Sequence, residues 1–176
     1  MEHFSKKIME IMDTIEYGFK NKDGENIYNL GDAEWDKFYE FYYLQTPDEL
    51  LRSKCGVCWD QVELERKMFN EYGVSVKTYF IYGKDGSDLP SHTFLVYENE
   101  ENYYWFEHSW GIYRGIYEYK SLKELLSDVK EKFMTFNLLT KQENDIYLYE
   151  YNMPPIHIGC EDFYKYIETQ KEIKID

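Results

Sequence analysis

Up to Gly73 the apolar residues of this chain fall mostly at helical spacing, and from Val74 onward mostly in strand-like runs. That order restricts the fold to the α+β class, helices packed on a mostly antiparallel sheet. Phe4, Ile8, Ile11, Met12 and Ile15 share one helical face. Residues 18–31 read as a loop around an Asn-Lys-Asp-Gly turn, and the aromatic run 33–43 reads as a second helix. Thr46-Pro47-Asp48-Glu49 is a helix start, with Thr46 as N-cap, Pro47 in the first turn and Glu49 closing a capping box. A further helix runs from Cys58 to about Gly73.

Strands are expected at 74–82, 93–97, 103–110 and 145–151, with a possible extra one across 111–118. Ser121 caps a helix through Phe133, and the tail from Glu161 to Asp176 reads as a terminal helix. At 176 residues this is the length of one domain. It divides into a helical part at 1–45, a motif-bearing core at 46–110 and a C-terminal helix-strand-helix part at 121–176.

A net charge of −14 argues against nucleic acid as a partner, because phosphate binding needs a basic face. No run approaches the roughly 20 apolar residues of a membrane span, and the N-terminus lacks the apolar centre of a signal peptide. Three cysteines cannot all pair within one chain, so the expected compartment is the reducing cytoplasm.

Chemistry concentrates at Cys55-Gly56-Val57-Cys58-Trp59-Asp60. A glycine turn leads into Cys58 at a helix N-terminus, where unpaired N–H groups and the helix dipole favour negative charge. Such a position makes a cysteine nucleophilic near neutral pH. A nucleophilic thiol needs a base, usually histidine, and the base needs an orienting partner. His92 opens a strand directly after a loop. If Glu98 pairs with Tyr103, then His92 falls opposite Ser109 and Glu107 becomes its diagonal neighbour on the same face. A slip of one residue would instead bring His108 to that face.

These residues resemble the signature of the transglutaminase-like superfamily of papain-like cysteine enzymes. Gly56-Val57-Cys58-Trp59-Asp60, His92-Thr93-Phe94-Leu95-Val96 and Trp105-Phe106-Glu107-His108-Ser109-Trp110 match its three motifs in order, with glutamate where aspartate is usual. The resemblance implies a papain-like core and acyl transfer through a thioester. It assigns Cys58 as nucleophile, His92 as base and then acid, and Glu107 as orienter. It implies a peptide or protein amide substrate, hydrolysis ahead of crosslinking, and no cofactor or metal. The oxyanion would rest on the Cys58 N–H, with Gln45 as a candidate side-chain donor beside a purely structural role. Trp59 and Trp110 are candidate cleft-lining residues, against the more common fate of tryptophan as core packing.

Other chemistries compete. Cys55-x-x-Cys58 resembles a redox pair, but a helix precedes it where a thioredoxin-like unit has a strand. Cys55, Cys58, His92 and His108 together match a zinc donor set, but the register above turns the two histidines to opposite faces. A peptide-binding module that keeps the fold without catalysis is the alternative function.

Overall fold

The computed structural model describes residues 2–28, 34–83, 90–138 and 146–175. The first helix, α1, spans Glu2–Met12. A small hairpin follows, β1 at Gly18–Lys20 and β2 at Asn26–Tyr28. A 3-10 turn at Trp35–Lys37 and the four-residue α2 at Phe38–Phe41 precede α3 at Pro47–Ser53 and α4 at Cys58–Glu71. Then come β3 (Val76–Gly83), β4 (Ser91–Asn99), β5 (Asn102–Glu107), a 3-10 turn (Gly111–Tyr113) and β6 (Gly115–Tyr119). The chain closes with α5 (Leu122–Phe136), β7 (Ile146–Tyr151), α6 (Cys160–Glu168) and β8 (Lys171–Glu172).

The main sheet runs in the order β6-β5-β4-β3-β7-β8, and every neighbouring pair is antiparallel. The fold is thus α+β, with helices on both faces. Leu95, Tyr97 and Phe106 point to the side covered by α4 and α1, where Leu64, Phe69, Ile8 and Met12 meet them, and Phe80 packs on Trp59 of α4. Tyr79, Phe94, Val96 and Trp105 point to the other side and pack under Leu125, Val129 and Phe133 of α5. The alternation of large apolar residues along β3 and β4 therefore fills two layers at once.

Four expectations need correction. Residues 18–31 are not simply a loop, because Phe19 pairs with Ile27 in the small hairpin. The aromatic run from 33 is not one helix: only the 3-10 turn and α2 form, and Tyr42 is extended (φ −64°, ψ 139°). The 103–110 strand stops at Glu107. The terminal helix ends at Glu168, after which Glu150 pairs with Lys171 in a two-residue strand. In the aromatic run and in the tail, ring packing and a short pairing override the helical spacing. The loop read before His92 falls largely outside the described residues.

Candidate active site

The turn that delivers Cys58 is tightly built. At the start of α3 the Thr46 capping box forms, with Thr46 N donating to Glu49 Oε2 at 2.8 Å. α3 ends with Lys54 in the left-handed region (φ 56°). Two residues later Gly56 is closely enclosed: a Cβ there would lie 2.5 Å from Leu50 Cδ1 and 3.0 Å from Asp60 Cβ. Residue Glu16 lies in a parallel bridge beside Cys55, with Glu16 N donating to Lys54 O (2.8 Å) and Gly56 N to Glu16 O (3.1 Å).

Asp60, in the first turn of α4, accepts from Val57 N (3.0 Å), Gln45 N (2.8 Å) and Tyr42 Oη (3.3 Å). Complete burial pushes its carboxyl up to about 7, although those hydrogen bonds pull the other way. Asp60 is therefore a helix cap that ties the Tyr42–Gln45 segment to the turn before Cys58. Cys58 occupies the first position of α4, where a backbone N–H has no acceptor within the helix.

Cys58 belongs to the core layer on the α4 side of the sheet, while His92 follows the face shared by Phe94 and Val96. They meet because the sheet opens between them. The β4–β5 ladder stops at Leu95↔Phe106, whereas β4 continues along β3 to Ser91↔Tyr82. The first residues of β4 are thus outside the β5 ladder, and Ser91 lines the same cavity as Cys58.

The hairpin register is Glu98↔Tyr103, the one expected, so Glu107 falls on the face of His92. Its Oε2 lies 2.7 Å from His92 Nε2 and accepts from Trp105 Nε1 at 3.2 Å. Its Oε1 accepts from Trp110 N (2.8 Å) and Ser109 Oγ (3.2 Å). Four contacts fix one carboxylate that is 2% exposed. Burial disfavours a charged imidazole at His92, but Glu107 and interaction with the Cys58 thiol outweigh it and push the pKa up to about 10. Trp110 packs on the His92 ring with centroids 4.9 Å apart.

Other predicted residues have different surroundings. Gln45 Nε2 donates to Cys55 O (2.8 Å) and its Oε1 accepts from Ser53 Oγ (2.7 Å), which makes it a brace for the turn. Trp59 is both core and cleft residue: it stacks on Phe163 at 4.1 Å and lines the cavity that holds Cys58. Trp110 covers His92 but does not line that cavity. His108 engages Gln61 Oε1 (2.6 Å) and Asp13 (3.3 Å), away from Glu107's partner. Cys55 Sγ is directed at Ile27 O (3.9 Å), and burial pushes its thiol up to about 12. Among the described residues no group of three or more His, Cys, Asp or Glu is arranged to hold a metal ion.

Two neighbours of the thiol escaped the sequence reading. Glu65 sits two helical turns after Cys58 and is 2% exposed; burial first, and then Glu107, hold its carboxyl well above the usual range. Its spacing of seven residues was the available signal. Tyr17 lines the cavity beside Cys58, and nothing in its sequence context marks it. The cavity measures about 440 Å³ and is walled by Tyr17, Trp35, Phe38, Tyr39, Trp59 and Tyr164.

A family model described as a transglutaminase-like domain matches residues 2–134. Among curated proteins, none matches this chain. Among the described residues, no helix is long and apolar enough to cross a membrane.

Proposed function

We propose, from the premise that the chain belongs to the transglutaminase-like domain family, that it is a cysteine-dependent amide or peptide hydrolase or acyltransferase. The observation that carries this reading is the buried array in which His92 interacts with the Cys58 thiol while its Nε2 lies 2.7 Å from Glu107. Cys58 is the nucleophile, His92 the base and then the acid, and Glu107 the orienter. The imidazole takes the thiol proton and the sulfur attacks the acyl carbon. The imidazolium then protonates the departing amine, leaving a thioester. Water or a second amine, deprotonated by His92, releases the acyl group. The glutamate in place of aspartate supplies reach, since one carboxylate serves both His92 and the Ser109–Trp110 turn.

The substrate class is a peptide or protein amide entering the aromatic-walled cleft. A single domain over 1–176 and a reducing cytoplasmic setting complete the reading; three free, buried cysteines accord with such a setting. The aromatic walls also favour the second reading, a peptide-binding module without turnover.

Incubation with 4-nitrophenyl acetate followed by peptide mass mapping separates the two. The expected result is a hydroxylamine-labile acetyl group on Cys58, absent from Cys58→Ala. If folded wild-type protein releases no nitrophenolate above the Cys58→Ala background, the catalytic reading is wrong.

A further inference from the structure

We propose that the hydroxyl of Tyr17 is the side-chain donor that, with the backbone N–H of Cys58, stabilises the oxyanion formed during acylation. This rests on the nucleophilic reading of Cys58 and adds a catalytic residue to it. Tyr17 and Cys58 line the same cavity, 41 residues apart in the chain. The tyrosine is held from both sides of the backbone. Glu16 is bridged to Cys55, and Gly18 begins β1 pressed against the same turn. A Cβ at Gly18 would lie 2.6 Å from Cys55 Sγ and 2.4 Å from Ile27 O, so this segment and the Cys55–Cys58 turn touch without intervening atoms. The Tyr17 ring leans on Trp35, with centroids 6.2 Å apart. At 39% exposure it is open to the cleft, and its hydroxyl interacts with the Cys58 thiol.

Gln45, the donor expected from the sequence, has its amide nitrogen bonded to Cys55 O and its oxygen bonded to Ser53. Tyr17 lines the cavity that holds the thiol. When the Sγ–C bond forms, the carbonyl π pair moves to oxygen, one bond beyond the carbon now attached to sulfur. A hydroxyl that shares the cavity with the thiol can donate to that oxygen. The pair then returns, the C–N bond breaks, and His92 gives its proton to the amine. The phenol keeps its own proton throughout. Burial, and then the Cys58 charge, raise its pKa well above the ordinary tyrosine value, so it remains a donor at any working pH.

Tyr17→Phe keeps the ring and removes the donor. With 4-nitrophenyl acetate, the acylation burst should slow by about 10²–10³-fold at saturation, the effect of losing one oxyanion donor. The concentration giving half-saturation should not change. Iodoacetamide alkylation of Cys58 passes through no oxyanion and should fall far less than the burst. An unchanged burst rate would overturn the proposal. So would a parallel loss of burst and alkylation, which would make Tyr17 a support for the thiol. Cys58→Ala serves as the control: if it keeps the wild-type burst, the nucleophile assignment itself is wrong, whatever Tyr17→Phe does.

Discussion

Glu107→Gln isolates what the carboxylate does, because the amide is the same size and the site demands four accepted bonds. In the wild type Oε1 serves Trp110 N and Ser109 Oγ, and Oε2 serves Trp105 Nε1 and His92. An amide presents only one oxygen. If it stays on the Trp110 side, the NH₂ faces Trp105 Nε1–H, and that fully buried donor loses its partner. An unsatisfied buried donor costs about 1–3 kcal/mol. For a chain of this length each kcal/mol lowers Tm by about 2–4 °C.

The larger effect falls on His92. Its Nε2 then becomes the acceptor of the amide N–H, and its proton moves to Nδ1, the nitrogen left for the thiol. That tautomer cannot take the thiol proton. Loss of general-base assistance slows acylation by about 10²–10⁴-fold, or about 3–5 kcal/mol of barrier. The assay is the 4-nitrophenyl acetate burst together with a thermal melt and ¹⁵N-histidine NMR. Expected are a slower burst, a modest loss of Tm, and a His92 imidazolium that disappears well below the wild-type value of about 10. A wild-type burst rate in a destabilised Glu107→Gln protein would refute the reasoning and leave Glu107 a structural brace.

The remaining predictions concern the frame around the thiol. Asp60→Asn should cost about 1–3 kcal/mol, because one of the bonds from Val57 N or Gln45 N meets an NH₂ in place of an oxygen; denaturant unfolding measures it. The Asp60 pKa is raised from 3.8 to about 7 on folding, so its favourable contribution is complete only below 3.8 and is lost as pH rises through about 7. Unfolding free energy measured from pH 4 to 8 should carry this component in the wild type and lack it in Asp60→Asn. Trp59→Ala removes a ring that is 3% exposed and stacked on Phe163, and should cost about 3–5 kcal/mol in the same assay.

Much of the site was legible because it follows short-range rules. The Thr46-Pro47-Asp48-Glu49 cap and the Gly-x-Cys turn fix where α3 and α4 begin. The Glu98↔Tyr103 register follows from a polar turn between two apolar runs, and it carries His92 and Glu107 to one face. What was not legible depends on contacts distant in sequence. β1 and β2 are three residues each, too short to show alternation, and are held by the Cys55 turn. The aromatic run before Tyr43 has helical spacing, yet Phe38 packs on Trp35, Tyr42 and Trp59 at once, and the chain bends to allow it. Tyr17 is one of 19 tyrosines, and the bridge at Glu16 and the close packing of Gly18 bring it to Cys58.

The central claim is that His92 makes Cys58 a nucleophile, and the pH dependence of Cys58 alkylation tests it most directly. Burial holds Cys55 and Cys160 near 12, so iodoacetamide on folded protein below pH 8 reads Cys58. The account predicts a rate that is already high well below pH 7 and an advantage that His92→Ala abolishes. A wild-type rate that rises only near pH 8.5, as for an ordinary thiol, and is indifferent to His92→Ala would contradict it.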